Sequence, residues 1–231
     1  MSVHTPQDAR GRPSRALPFV VRRATSPADL EKVARLRATA YGRHLPDLGT
    51  QLQRVEHADR DPHAVVLLAE AKEDGRAVGT VRLRVDRHGP LTIEASVALP
   101  RWMCDAGPVL EPNRLAVEAR ELGTPARNAL LKATYLHALA AGVQWVVVAA
   151  RWPIDRLYES FLFSDVFAPG VLVPMRHCEN MPHRVMALSM PDVPRLAIEK
   201  GHPMAAAFFD TDHPDLIVDA TPLLAPMAAA A

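Results

Sequence analysis

Three arginines and a small group of carboxylates carry the most explicit chemistry in this sequence. Arg37, Arg82 and Arg114 lie in separate segments, each beside aliphatic residues, and Glu56, Asp59 and Asp61 cluster between the first two of them. A guanidinium is a planar fork of donors, so these residues either clamp a carboxylate bidentately or close a charge network with the three acids that ties the first helix to a sheet. Glu111 precedes Arg114 by three residues, a spacing that places them on opposite faces of a regular strand. For the two to act together, a β-bulge must lie between 111 and 114, where Pro112, lacking a ladder donor, is tolerated. Tyr158 stands among Leu157 and Phe161, and its phenol reads either as a proton donor or as a core tyrosine with a satisfied hydroxyl.

Other chemistries find less support. The ten histidines raise the question of a metal, at His177 and Cys178 with His183 or at Asp210, Asp212 and His213, but neither set has a recognised ligand spacing, and no metal is expected. Cys104 and Cys178 belong to no nucleophile motif. Two cysteines so far apart read as free thiols in a reducing compartment, so a cytoplasmic location is expected. Lys and Arg number 27 against 26 Asp and Glu, a formal charge of +1, which leaves no global basic field for a nucleic acid. Apolar runs such as 64–69 and 145–150 fall far short of the roughly 20 residues of a transmembrane helix, and none is expected.

Hydrophobic periodicity supplies the elements that must position these residues. The chain has 231 residues, 48% hydrophobic and 23% charged, the composition of a globular protein. Residues 1–17 are polar and basic, and are expected to form a disordered arm. Phe19 to Val21 predicts a strand. Ser26 as N-cap and Pro27 then open a helix that carries Leu30, Val33, Leu36, Ala40 and Tyr41 at helical spacing. A weaker helix over 47–57 precedes a strand at 63–71 that is apolar on both faces. In the next strand Val81, Leu83 and Val85 alternate with Thr80, Arg82 and Arg84.

Residues 87–110 are too long and interrupted for a tight turn and are expected to be a functional loop. A strand at 113–118, a helix capped by Thr124 with Pro125 at its first position, a buried strand at 143–149, a short helix over 153–163 and strands at 171–175 and 184–190 follow. The order βααβββαβαββ implies an α/β fold, a mixed central sheet of about seven strands flanked by helices, in one domain over 18–190. Residues 191–231 read as a helical extension with a floppy end.

This order, with Arg114-Leu115-Ala116-Val117 ahead of a helix and Leu157-Tyr158-Glu159-Ser160-Phe161-Leu162-Phe163 after the next strand, resembles the GNAT superfamily of N-acetyltransferases, although Leu162 replaces the glycine of that family's closing motif. Within the superfamily the chain is more similar to the N-acyl amino acid synthases and the acyl-homoserine-lactone synthases. The matches are Leu36-Arg37 with Tyr41, Glu56 with Asp59 (Asp61 being the alternative partner), Gly79-Thr80-Val81-Arg82-Leu83, and Glu111-Pro112-Asn113-Arg114-Leu115-Ala116-Val117, in family order across about residues 19–190. One departure concerns the glycine-rich turn that holds the CoA diphosphate in acetyl-CoA enzymes of this fold. Here it reads Leu122-Gly123-Thr124-Pro125-Ala126-Arg127-Asn128. One glycine survives and Pro125 cannot donate, which suits a donor bearing a single phosphate.

The resemblance implies an N-acyltransferase that moves a long-chain acyl group from a thioester to the amine of an amino acid or related small molecule. No cofactor would be permanently bound. The donor would be phosphopantetheine on an acyl carrier protein, or CoA. Direct attack of an amine on a thioester requires a base, an oxyanion site and an acid for the leaving thiolate. Glu111, directly or through water, is the first choice of base and Glu118 the second. Arg114 acts beside Glu111, and Tyr158 is the candidate acid.

Arg37, Tyr41, Glu56, Asp59 and Arg82 would hold the acceptor. Backbone N–H groups around Leu115, Ala116 and Val117 would meet the oxyanion, with Gly123, Arg127 and Asn128 on the donor side. Val97, Leu99, Trp102 and Met103 either line an acyl tunnel or are core. Arg127, Lys132, Arg151 and Arg156 are candidates to receive an acidic carrier. An acetyl-CoA-dependent N-acetyltransferase and a catalytically silent acyl-binding domain of the same fold are the alternatives.

Overall fold

The computed structural model describes residues 7, 8 and 11–218. The elements run β1 (Phe19–Arg23), α1 (Pro27–Gly42), α2 (Pro46–Gln51), β2 (Val65–Ala71), β3 (Ala77–Val85), α3 (Arg101–Cys104), β4 (Val109–Val117), α4 (Gly123–Ala140), β5 (Trp145–Ala150), α5 (Ile154–Ser160), β6 (Ser164–Asp165), β7 (Val173–Met175), β8 (Met181–Ser189), α6 (Val193–Glu199) and β9 (Leu216–Ile217). They build one mixed sheet of nine strands in the order β6-β8-β5-β4-β3-β2-β1-β9, with β7 on β8. The mixed α/β sheet read from the sequence is therefore present, with two short strands, β6 and β9, that hydrophobic patterning did not reveal.

Local chemistry explains the main elements. Ser26 accepts the Asp29 N–H and Asp29 accepts the Ser26 N–H, a complete capping box with Pro27 in the first turn of α1. Arg22 reaches across from β1 to the same Asp29 at 2.7 Å. β2 is buried on both faces: Val65, Leu67 and Ala69 pack towards α4, and Val66 and Leu68 pack against Val33 of α1. α4 crosses β3 closely at Gly79, where an added Cβ would stand 2.8 Å from Leu130 Cδ1 and 3.2 Å from Ala126 Cβ.

Several expectations are corrected. α4 begins at Gly123, before Thr124, and no side chain caps it; Leu122 occupies the N-cap position. The segment 87–110 is a chain of short helical turns, including Thr92–Ala95 and α3, and β4 starts at Val109. The described part of the expected disordered arm is ordered: Arg15 N–H bonds Asp212 C=O, Leu17 N–H bonds the Asp215 carboxylate, and Arg12 pairs with Asp8. The extension beyond 190 folds back as well. α6 and a turn of π-helix (Ala206–Asp210) lead to β9, which pairs in parallel with β1. Its expected floppy end lies outside the described residues.

Gly79→Val is expected to overpack the α4 contact and to cost about 1–3 kcal/mol. A thermal melt checks this, the shift being roughly 2–4 °C per kcal/mol for a chain of this size.

Candidate functional site

The sheet opens between its two middle strands. β4 and β5 pair in parallel only at Val109 with Trp145 and Leu110 with Val146. Beyond that point β4 continues on β3 as far as Val117, and β5 continues on β8 as far as Ala150. Backbone that diverges in this way leaves ladder groups unspent along one edge of β4. The resulting cleft has a volume of about 360 Å³ and is walled by Glu111 to Val117 on one side and by Ala149 to Arg151, His177, Cys178 and His183 on the other.

β4 carries a bulge. Arg82 pairs with Asn113 and Thr80 with Ala116, so Arg114 and Leu115 together face Val81. Arg114 adopts φ 54°, a left-handed backbone in a non-glycine residue that costs on the order of 1–3 kcal/mol. The expected bulge is therefore present, displaced to Arg114 itself; pairing is regular from Glu111 to Asn113. Its effect is to turn the Arg114 side chain towards the face that carries Arg82, Asn113 and the acids before β2.

On that face the arginines and carboxylates converge. Arg114 grips Glu56 with Nε at 3.1 and 3.0 Å and Nη2 at 2.8 Å, and its Nη1 donates to the His177 C=O at 3.2 Å. Arg82 joins Glu56 and Asp59, and its Nε donates to the Asn113 side-chain oxygen. Arg37, 1% exposed, donates to Asp59 at 2.7 and 2.9 Å and to Glu56 at 3.3 Å. Asp61 stands apart, bound to Arg84. Three guanidinium groups face two carboxylates, which leaves one positive charge uncompensated. Of these residues only Arg114 lines the cleft, with Tyr41 beside it. The Tyr41 hydroxyl donates to the Leu115 C=O at 3.4 Å, and the Arg114 guanidinium lies 5.9 Å from the Tyr41 ring centre. Arg37, Asp59 and Arg82 are fixed beneath it as supports.

The remaining expected residues divide. Glu111 is 2% exposed and accepts the N–H groups of Thr92 and Ile93, so it pins the 92–95 turn; burial pushes its carboxyl up. Glu118 pairs with Arg76 and faces away. Tyr158 touches both the cleft and an adjoining apolar cavity of about 60 Å³, and burial pushes its phenol well up, so it stays protonated. Arg127 lines the cleft and Asn128 lies behind it, accepting from it. A Cβ at Gly123 would meet Glu118 C=O at 2.1 Å, so this glycine serves the chain's own turn.

Val97, Leu99, Trp102 and Met103 have two readings, tunnel lining or core, and neither the cleft nor the apolar cavity includes them. Met103 is fully buried and Val97 and Leu99 pack on its cluster as core, whereas Trp102 is half exposed at the surface against Trp145. Lys132 is not at the mouth: it is buried and bonds the C=O groups of Ala207 and Thr211 and His213 Nδ1. Arg156 is exposed and pairs with Glu159. Arg43, His44, His177 and His183 complete the cleft; sequence spacing ties none of them to it, because contacts across elements place them there. Among the described residues no group of His, Cys, Asp or Glu could hold a metal ion, and no helix is long and apolar enough to cross a membrane.

Burial alone would raise the Glu56 carboxyl, but the hydrogen bonds from Arg114 and the charges of Arg114, Arg82 and Arg37 outweigh it and hold the group below its usual 4.5. A depressed carboxylate stabilises the fold at pH above its unfolded value and loses that contribution as pH falls through the folded one. Unfolding free energy should therefore decline below about pH 4.5, and Glu56→Gln should flatten this limb. The substitution should cost on the order of 2–3 kcal/mol, less than a fully buried pair because Glu56 remains 22% exposed, as read by urea titration across pH.

Comparison with known proteins agrees with this geometry. The family model described as N-acyl amino acid synthase FeeM matches residues 32–191. The structure of FeeM, an N-acyl amino acid synthase from uncultured soil microbes, superposes with a TM-score of 0.64 at 16% identity, covering 79% of this chain and 96% of that one. BjaI, a CoA-dependent acyl-homoserine lactone synthase, gives 0.55 at 19% identity over 87% and 96%. An aminoglycoside 6'-acetyltransferase type Ii gives 0.51 at 13% identity over 74% and 97%. No curated protein matches by sequence. With a GNAT sheet parted between β4 and β5 and a family match across more than half its length, the chain belongs to the N-acyl amino acid synthase FeeM family and is an N-acyltransferase.

Proposed function

We propose that this acyltransferase joins a long-chain acyl group, delivered as a thioester on the phosphopantetheine of an acyl carrier protein, to the amine of an amino acid or a similar small molecule bearing a carboxylate. The parting of β4 from β5 after two paired positions carries this reading, because a thioester arm can occupy the place of the missing ladder. Glu118 N–H is spent on Val78 C=O, so alternation along β4 turns the Val117 N–H to the open side, where it can meet a developing oxyanion.

On the acceptor side, Arg114 uses three of its N–H groups on Glu56 and His177, has the Cys178 thiol beside it, and stands on the cleft wall. With Arg43, Arg127 and Arg151 also on the cleft wall, and the one acid there, Glu111, turned onto its turn, the cleft favours an anionic acceptor and a phosphate. On the donor side, Gly123 N–H is taken by Arg120 C=O, Pro125 has none, and Ala126 N–H closes on Leu122 C=O. Thr124 is then the N–H that the first turn of α4 can offer. One N–H beside Arg127 suits one phosphate better than a diphosphate. This weighs against the acetyl-CoA alternative.

The acyl tail is directed at the apolar cavity reached through Tyr158, between Leu131 of α4, Phe161 after α5, Leu188 of β8 and Phe208 and Phe209 of the C-terminal extension; at about 60 Å³ it takes a few methylene groups as it stands, so a long chain requires its walls to part. The same tyrosine, kept protonated and placed at the junction, donates to the departing thiolate.

The direct experiment supplies the purified protein with acetyl- and palmitoyl-loaded carrier protein, the matching CoA thioesters and a pool of amino acids, and reads amides by mass spectrometry. Amide from the palmitoyl carrier protein is expected. Product from acetyl-CoA alone would overturn the donor and chain-length assignments, and acyl binding without amide would make the chain a silent acyl-binding domain. Leu131→Trp should fill the cavity and depress turnover of the palmitoyl donor roughly tenfold relative to a butyryl donor, a difference of about 1.4 kcal/mol. Equal loss on both donors would place the tail elsewhere.

A further inference from the structure

We propose that His183 is the group that takes the proton from the attacking amine, in place of the two glutamates that the sequence offers for this task. The inference rests on the acyl-transfer reading above and concerns its acceptor half.

Neither glutamate is free. Glu111 is held by Thr92 and Ile93 N–H at the edge of a short turn, and Glu118 is engaged by Arg76 outside the cleft. His183 lies on the wall that faces β4. It directly precedes Arg184, which pairs with Ala150 at the end of β5, sits opposite Val173 in the β7–β8 pairing, and lines the cleft while only 6% exposed.

Its tautomer is set by a neighbour. Nδ1 is 2.7 Å from the Met181 C=O, which can only accept, so the ring proton resides on Nδ1 and Nε2 presents its lone pair. No protein group among the described residues bonds Nε2. A base whose other nitrogen is anchored by a carbonyl has both the orientation and the protonation state that proton abstraction requires.

The surroundings keep the ring neutral. Arg151 faces it from the β5–α5 connection, Arg114 from β4, and His177 and Cys178 from the turn Arg176–Cys178. Burial lowers the His183 imidazole, the Met181 C=O raises it, and the Arg151 charge lowers it further, with a net shift downwards from 6.5. His177 cannot substitute. Burial and the Arg114 charge bring it to about 4, its Nδ1 is sealed from solvent without a partner, and its backbone C=O is engaged by Arg114.

The step balances as follows. The neutral amine attacks the thioester carbonyl and the C–N bond forms. Its N–H proton passes to His183 Nε2 as the C–S bond breaks, and the leaving thiolate takes the Tyr158 hydroxyl proton. Proton exchange through solvent then restores phenol and imidazole, so amide and thiol are the only net products.

The test compares full-length wild type, His183→Gln, His183→Ala and Glu111→Gln in the palmitoyl carrier protein assay with the amino-acid pool, with folding of each checked by thermal melt. Wild type should lose rate as pH falls through a midpoint below 6.5. His183→Gln should lower kcat about 10²–10⁴-fold with little change in KM for the amino acid and abolish that acid limb, and added imidazole should partly restore His183→Ala. A His183→Gln enzyme with near-normal kcat and an intact limb overturns the proposal, as does a limb that disappears in Glu111→Gln instead. Nitrogen-15 NMR of the imidazole gives a readout independent of turnover: Nε2 should be unprotonated at pH 7, and a proton found there overturns the assignment. A wild-type protein that forms no amide from any thioester fails the acyl-transfer reading itself, and the role of His183 falls with it.

Discussion

Glu56 is the carboxylate on which the acceptor side of this molecule depends. It accepts from Arg37 of α1, Arg82 of β3 and Arg114 of β4, so a single side chain between α2 and β2 binds a helix and two strands together. Charges removed from water are tolerated only when paired and hydrogen-bonded, and once so paired they resist separation. Asp59 completes the pairing below, fixing Arg37 and Arg82 in place. The left-handed backbone at Arg114 is sustained by this grip: the strain of the bulge is offset by three hydrogen bonds from its guanidinium to Glu56.

The cluster also explains how chemistry and scaffold divide among residues of one type. Arg37 and Arg82 carry the same functional group as Arg114 and belong to the same network, yet only Arg114 reaches open space. The bulge makes the difference. It inserts one residue opposite Val81, swings Arg114 over the Tyr41 ring and brings it to the cleft wall, while Arg37 and Arg82 remain sealed by α1 and the sheet.

The gathering of Arg37, Glu56, Asp59, Arg82 and Arg114 was legible in the sequence because charged residues embedded in apolar elements must find one another. The need for a bulge was legible too, since period two forbids Glu111 and Arg114 from sharing a face. Its position at Arg114 was not, because the strain of a left-handed residue is compensated by partners distant in sequence. The parting of β4 from β5 depends on where a ladder stops, which periodicity does not encode. Val97, Leu99, Trp102 and Met103 illustrate a similar limit: an apolar stretch looks the same whether it lines a tunnel or fills a core. His183 drew notice in the sequence only as a metal candidate with His177 and Cys178, since its place on the cleft depends on β8 running alongside β5. Lys132 misled for the opposite reason, since a lysine on a helix reads as surface until a distant segment folds over it.

That distant segment is held in a particular manner. The ammonium of Lys132 contacts Ala207, Thr211 and His213 at once, Asp212 exchanges backbone hydrogen bonds with Pro13 and Arg15, and Phe208 and Phe209 meet the rings of Phe161 and Tyr135, so the stretch is fastened at several points. Widening the space beneath it must break these contacts together.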